Sequence, residues 1–588
     1  MSQTELTGSE AYAFDLASHQ TREGHATLTL SDRFHLNFPG EKLSLELSTD
    51  SFWTRMANIR RIRRLLIEKK IDVIHAHSRG ACRHVYWAAR GLRIPILTTI
   101  HGYQHSSLSK RLFHIYGDYI LAVCEKIRDQ MIRDLRTKPY AIEVLRNPVA
   151  PRGVLPAHLP AAIPGRILLA GRSSGPKGRR LRAIFRELAR GPLPAGTTVH
   201  LVLSGLESKE RERLKEEWPE ALVEGHLPSL QTAIAQSTIV LASGRIALEA
   251  LAQGRRVFAL GEASQPGFLT SQSETEILAS NFGDVGPEDD LDLPTIVRDL
   301  CAELERPSPQ NAENILAHFA SEKILNRVID LYRGLRLFKR TRSLPILMYH
   351  KVVDTAPETP HRTFVTTETF RKHIAFFKRG GYSTLHFRDL ADFWWERRPL
   401  VEFPKRPLLL TFDDGYRNNL EKAAPLLAEA GLKAEIFLLA DADIQRNHWD
   451  PDEGDESSAI MTLEEKKRLP RPTYAIGSHG LSHRAFPDLS EAEVLRELKV
   501  SKEKLESDFG QKVCSVAYPF GAIDGRLPEL AREAGYDFAV NTDQGPVYWF
   551  TEPRSLFRVN VFPEDGVFSL WKKTSSWYRE YYFRKRGR

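Results

Sequence analysis

Residues 407–415 read Pro-Leu-Leu-Leu-Thr-Phe-Asp-Asp-Gly. The first six carry no helical period and read as a buried strand. The last three set two adjacent carboxylates on a glycine turn at that strand's carboxyl end, where a (β/α) barrel places its catalytic groups. The two side chains point differently, so one can bind a metal while the other accepts a proton. The same residues also describe a solvated Asp-Gly turn, and the pair alone does not choose between these readings.

Leu344-Pro-Ile-Leu-Met-Tyr-His350 opens an earlier strand, and residues 434–439 and 513–518 supply later ones. The strand-helix alternation from 344 to 588 therefore predicts a barrel, complete or distorted. His479 follows Asp414 by 65 residues, within Gly477-Ser-His-Gly-Leu-Ser-His483. Histidines at i and i+4 share one face of a helical turn and can grip one ion. With Asp414 they make three ligands with a fourth position left for water, the composition of a catalytic zinc site.

These motifs resemble the polysaccharide deacetylases of carbohydrate esterase family 4. Thr411–Gly415 is similar to that family's first motif, His479 to His483 to its second, and Ala517-Tyr-Pro-Phe-Gly521 to its third as one branch writes it. The resemblance implies Asp413 as general base and Asp414, His479 and His483 as ligands of a divalent metal, zinc by composition. It also implies the backbone N–H of Phe520 as an oxyanion donor. The third motif ordinarily opens with an arginine where this chain has Ala517; Arg558 is expected to substitute, an exposed structural arginine being an equal reading. No histidine follows His483 to act as the family's late general acid, so His350 is expected to replace it, against the alternative of a core histidine.

The first 335 residues alternate short apolar strands with amphipathic helices, as in doubly wound sheets. Asp72-Val-Ile-His-Ala-His-Ser78 and Pro95 to Gly102, with His101, end strands where open α/β sheets bind ligands. Gly171-Arg-Ser-Ser-Gly-Pro-Lys-Gly178 joins backbone donors to Arg172 and Lys177 and suits a diphosphate. Ser243-Gly244 opens a helix carrying Glu249, placed to accept ribose hydroxyls. Together these resemble the GT-B glycosyltransferases, most closely family 4, which implies a nucleotide-sugar donor with Arg172 and Lys177 on its diphosphate, Glu249 on its ribose and His101 near the transferred sugar. Leu241 stands where that family often has a second glutamate. No strand precedes Thr7-Gly8-Ser9-Glu10, which resembles the family's first glycine turn; either the natural start lies upstream or the first strand is absent.

The expected architecture is thus α/β throughout: a GT-B pair of Rossmann-like domains, 1–150 and 151–335, then the deacetylase barrel at 344–588. The Pro-rich stretch 147–164 is read as the linker within the pair.

The formal charge is +8, from 83 Lys and Arg against 75 Asp and Glu. Residues 53–70 carry +6, 331–342 carry +5 and 571–588 carry +6, which leaves −9 for the remaining 540. Three basic patches on a mildly acidic body argue against nucleic acid and for peripheral contact with an anionic membrane. Trp53, Met56, Ile59, Ile62, Leu65 and Leu66 are expected on one buried face of a helix with arginines opposite. The aromatic tail from Trp571 reads equally as an interfacial segment or as a disordered basic end. The 4 cysteines are dispersed, no apolar run approaches the ~18 residues of a membrane span, and the N-terminus lacks a secretory signal. The expectation is a cytoplasmic enzyme on the inner face of the membrane, adding a sugar to a lipid-linked glycan and removing an acetyl group from an N-acetylhexosamine in lipopolysaccharide or exopolysaccharide assembly. Two rival expectations are a deacetylase with a degenerate, glycan-binding GT-B half and a non-enzymatic scaffold.

Overall fold

A computed structural model describes residues 8–104, 114–149, 159–225, 227, 229–305, 312–449, 458–542 and 544–587. Thr7 of the glycine turn and half of the Pro-rich linker, residues 150–158, lie outside these. The chain divides into two compact units, Met1–Asp330 and Leu331–Arg588. Both expected Rossmann-like domains lie in the first unit as far as Asp330, and the helix Ser321–Arg340 runs through the boundary.

In the first unit, β1 (Leu28–Ser31) pairs in parallel with β2 (Glu41–Ser44). A separate parallel sheet holds β3 (Ile74–Ala76), β4 (Ile96–Ile100), β5 (Tyr119–Ala122) and β6 (Ile142–Val144) in that order. A second large sheet contains β7 (Arg166–Arg172), β8 (Thr198–Ser204), β9 (Leu222–Glu224), β10 (Ile239–Ala242), β11 (Arg256–Ala259) and β12 (Gly267–Phe268). Its order is β12-β11-β10-β7-β8-β9, with only β12 antiparallel. The central strands β7, β8 and β10 are runs of Ile, Leu and Val because helices cover both faces. The chain then returns to the first sheet: Val149 bridges Ala320, and Arg327 pairs with Glu143 of β6 at 2.7 Å. Arg146 braces the same junction, donating to the Leu278 carbonyl at 2.9 Å and to Glu125 at 2.6 Å.

The second unit is a closed barrel with its own core. Its strands are β13 (Ile346–Tyr349), β17 (Pro407–Phe412), β18 (Ala434–Leu438), β19 (Tyr474–Ser478), β20 (Ser515–Ala517), β21 (Phe538–Thr542) and β22 (Leu556–Asn560). Each is parallel to its neighbours, and β13 closes the ring by pairing with both β22 and β17. Two short strands, β14 (Lys351–Val353) and β15 (Phe364–Thr366), pair apart from it, and β16 (Ser383–Thr384) adds to the edge of β17. The barrel is therefore complete in hydrogen bonding with seven strands, and the Asp413-Asp414-Gly415 turn opens at its carboxyl end.

Glu435 is a carboxyl inside this barrel. It accepts from the Ser515 hydroxyl at 2.6 Å and from the Phe387 N–H at 3.2 Å. Burial outweighs those bonds and pushes it up to about 7 from an ordinary 4.5. A raised folded pKa favours folding fully below 4.5, and that contribution is lost as pH rises through 7, by about 3 kcal/mol in all. Glu435→Gln is expected to melt several degrees above wild type at pH 8 and close to it at pH 5, measured on the second unit's transition; parallel curves would show that Glu435 does not titrate there.

Two expectations need correction. The helix Phe52–Glu68 buries Asn58, Ile62 and Leu66, while Trp53 is 81% exposed. At about 100° per residue, Trp53 lies half a turn from Ile62, so the two cannot share a face. The tail is not a disordered end as far as Gly587: it folds as Val567–Lys573 and Tyr578–Arg586. Leu570 is fully buried, Thr574 bonds the Tyr382 hydroxyl at 2.8 Å, and Tyr582 packs on Phe557 at 5.3 Å.

Candidate active sites in the barrel and the N-terminal cleft

Asp413 and Asp414 follow β17 directly, and both are buried. Arg558, on β22, is also fully buried and grips Asp413 with two bonds, Nη1 to Oδ1 at 2.6 Å and Nη2 to Oδ2 at 2.7 Å. Nη1 also donates to Thr411 at 3.3 Å. Burial alone would raise the Asp413 carboxyl, but the charge of Arg558 holds it below the ordinary range. His350 adds to that effect, so it lies near enough for its charge to reach Asp413.

Asp414 turns the other way. Its Oδ1 lies 3.2 Å from His479 Nε2 and 3.4 Å from His483 Nε2. Two metal bonds of about 2.0–2.1 Å at the tetrahedral angle span roughly 3.3 Å, so the three atoms are spaced as ligands of one ion. Asp414 Oδ1 and His483 Nδ1 have no hydrogen-bond partner among the described residues, which fits an oxygen reserved for a cation. His479 Nδ1 donates to the Ala517 carbonyl at 2.8 Å, leaving the Nε2 lone pair aimed at the cluster. This is the single such group of acidic, histidine or cysteine ligands among the described residues.

The His479–His483 segment is a loop and not the helical turn the spacing suggested. Gly480 has φ +80° and His483 φ +59°, conformations that end any helix. What shapes the loop is Glu497, on the helix Glu491–Phe509: it accepts from the N–H groups of Leu481 at 2.7 Å and Ser482 at 3.1 Å, and from the Ser482 hydroxyl at 2.5 Å. Trp449 stacks on His483 at 3.9 Å, and Phe520 meets the same ring tilted at 4.6 Å. Asp414 and Phe520 have φ of +70° and +59°, so with His483 three strained non-glycine residues meet at this one site.

In the first unit, His101 stacks on His77, itself stacked on His75, and Tyr12 meets both His77 and His101 edge-on or tilted. Burial pushes His101 down to about 4 and His75 to about 3, so these rings are neutral at neutral pH. Beside the second large sheet, Lys177, Ser243 and Gly244 come together around one carboxylate, Asp284. Arg172 pairs with Glu262 at 2.6 Å, and Glu249 receives Arg245 at 2.8 Å and Gln231 at 3.0 Å. Leu241 is fully buried in β10 and packs in the core with Ile167 and Leu169.

Two family models match the chain: Glycosyltransferase Family 4 over residues 6–152 and Polysaccharide deacetylase over residues 401–539. The chain carries one domain of each family. Two glycan-modifying domains thus lie on one polypeptide. The deacetylase domain is similar to YxkH of Bacillus subtilis (strain 168), named after the polysaccharide deacetylases, at 26% identity over 262 residues, 45% of this chain and 86% of that protein. It is also similar to the poly-beta-1,6-N-acetyl-D-glucosamine N-deacetylase of Staphylococcus aureus (strain MRSA252), at 25% identity over 27% of this chain and 56% of that protein. Among solved structures, a glycosyltransferase from Rickettsia africae ESF-5 aligns with 57% of this chain and 97% of its own, at 15% identity and a TM-score of 0.45.

Neither Glu497 nor Trp449 of the deacetylase domain stood out in the sequence. Glu497 is one of several acidic residues on a long helix, and only its burial under the histidine loop marks it. Glu497→Gln removes the negative charge under the loop and puts an amide NH2 where an oxygen now accepts from the Ser482 hydroxyl. It is expected to weaken metal affinity about 10- to 100-fold while leaving the fold intact, read by metal titration against a chelator; unchanged affinity would reduce Glu497 to a packing residue.

Proposed function

We propose that the chain is a bifunctional enzyme of surface-glycan assembly, transferring a sugar from a nucleotide donor and removing the N-acetyl group of a hexosamine in a lipopolysaccharide or exopolysaccharide. The observation that carries the deacetylase half is the Arg558–Asp413 pair set beside the Asp414, His479 and His483 cluster at the barrel mouth. A divalent ion, zinc by the ligand set, would be held by Asp414, His479 and His483 and would supply Lewis-acid polarisation of the acetyl carbonyl. Asp413, kept ionised by Arg558, accepts the proton of the attacking water. The N–H of Phe520 faces the developing oxyanion, and Phe520 and Trp449 flank the sugar. His350 returns a proton to the leaving amine. Acetate release from N-acetylglucosamine oligomers by zinc-loaded protein tests this half; no release with zinc, cobalt or manganese would sink it.

The carboxylate partners of Arg172 and Lys177, with Leu241 in the glutamate position, favour a second reading in which the GT-B half binds glycan without transfer. Turnover of a nucleotide sugar by the protein decides between them.

Membrane contact belongs to the same proposal. No helix among the described residues is long and apolar enough to cross a membrane. The helix Phe52–Glu68 exposes Phe52, Trp53 and Ile67 together with Arg60, Arg61 and Arg64, and the last two helices expose Phe568, Trp571, Trp577 and Tyr581 beside basic side chains. Aromatic rings beside cations on each of these helices suit an anionic interface and a peripheral place at the inner face of the cytoplasmic membrane. The protein is expected to co-sediment with phosphatidylglycerol vesicles and not with phosphatidylcholine, and Trp53→Ser with Trp577→Ser should reduce that by about tenfold; equal binding to both vesicles would remove the membrane from the proposal.

A further inference from the structure

The helix Gly244–Ala252 begins with no acidic residue in its first turn, and its N-cap Ser243 makes no capping bond to the helix. The Ser243 hydroxyl is used elsewhere: it donates to Asp284 Oδ1 at 2.7 Å. Lys177 Nζ meets the same oxygen at 2.8 Å, and the Glu262 N–H points to it at 3.3 Å. The other oxygen, Oδ2, lies 3.2 Å from where a Cβ on Gly244 would stand. Asp284 therefore occupies the place where a helix N-terminus, a lysine and a hydroxyl would together receive a phosphate. The neighbouring cation is compensated as well, since Arg172 is paired with Glu262.

Asp284 is held there by backbone. Asn281, Phe282 and Gly283 have φ of +53°, +61° and +85° in succession, a run that two side-chain-bearing residues rarely adopt. The Gly283 carbonyl accepts from the N–H groups of both Ala263 and Ser264 at 3.0 Å. A Cβ on Gly261 would fall 1.9 Å from the Gly283 carbonyl carbon, so the two loops are packed backbone to backbone. The Lys177–Asp284 pair is also mostly shielded, with side chains 13% and 21% exposed, so water screens it little.

We propose that Asp284 is a resident anion in the phosphate seat of the N-terminal cleft, competing directly with the diphosphate of an incoming nucleotide for Lys177 and Ser243. The proposal rests on the transferase reading for where the donor binds and adds the residue that limits its affinity. With Glu262 against Arg172 the seat is close to neutral before any ligand enters, and a diphosphate must displace one carboxylate and approach another. The donor is then held weakly unless the turn Asn281–Asp284 moves aside, which makes that turn the control point of the transferase half.

Calorimetric titration of the full chain with UDP and with GDP tests it. Asp284→Asn keeps the shape and an acceptor for Ser243 but removes the charge, and it is expected to bind at least one of the two about tenfold or more tightly than wild type. Asp284→Ser, smaller and also neutral, is expected to do the same, which protects the result against a variant that folds poorly. Adding Lys177→Met to Asp284→Asn is expected to return the gain. Equal or weaker binding by both neutral variants overturns the proposal while leaving the donor site in place. No binding of either nucleotide by any form at millimolar concentration overturns the donor site itself, and the proposal with it.

Discussion

Arg558→Met is expected to lower deacetylase kcat by a factor on the order of 10²–10⁴ and to destabilise the barrel by about 3–5 kcal/mol. The second figure follows from burial: the substitution leaves the Asp413 carboxyl inside the barrel mouth without its cation. Without Arg558, desolvation dominates Asp413 and its pKa rises, so the acid limb of kcat/KM should move toward neutral pH. The sign for stability is the usual one for a depressed carboxyl. The pair's contribution is present above the ordinary value of 3.8 and lost as pH falls through the lower folded value. The melting gap between wild type and variant should therefore be widest near neutrality and narrow below 3.8. Arg558→Lys restores charge but not the two parallel bonds, and should recover stability more than kcat. If Arg558→Met retains wild-type kcat and an unshifted acid limb, Asp413 is not the base.

His479→Ala is expected to abolish stoichiometric metal binding and, with it, several kcal/mol of transition-state stabilisation, a loss on the order of a thousandfold or more in kcat. Wild-type protein should carry about one divalent ion per chain, read by elemental analysis, because the ligand atoms of Asp414, His479 and His483 converge on a single point. Asp414→Asn should fail in the same way, whereas Asp413→Asn should keep the ion and lose turnover. That split separates a ligand from a base across one peptide bond. Equal metal content in wild type and His479→Ala would show that the cluster is not a metal site.

Much of the barrel was legible because its signals are local. An apolar strand, two carboxylates and a glycine turn are contiguous, and two histidines separated by three residues announce themselves whatever surrounds them. The GT-B half was legible for the same reason at β4, β5, β7, β8 and β10, which are mostly apolar, and at β3 through its histidines. Strands such as β2, β9 and β12 were not, being two to four residues long and partly exposed, so that pairing and not composition makes them strands. Trp53 lies on the exposed face because the turn of a helix, and not apolar character, decides which residues face the sheet.

What the sequence determined by itself is the chemistry available: which carboxylates and histidines end which strands, and that two kinds of glycan domain follow one another. Tertiary structure decided which of those groups answer to one another. Arg558 lies 145 residues from Asp413 and reaches it only because β13 closes the ring between β22 and β17. Glu497 shapes the histidine loop only because a helix packs over it, and Asp284 meets Lys177 and Ser243 only because a strained turn from another loop is pressed against the helix start. Short-range patterns set by backbone geometry can be read along the chain. Partnerships between distant charged groups depend on burial, which makes a charge costly unless it is paired, and burial exists only once the chain has closed.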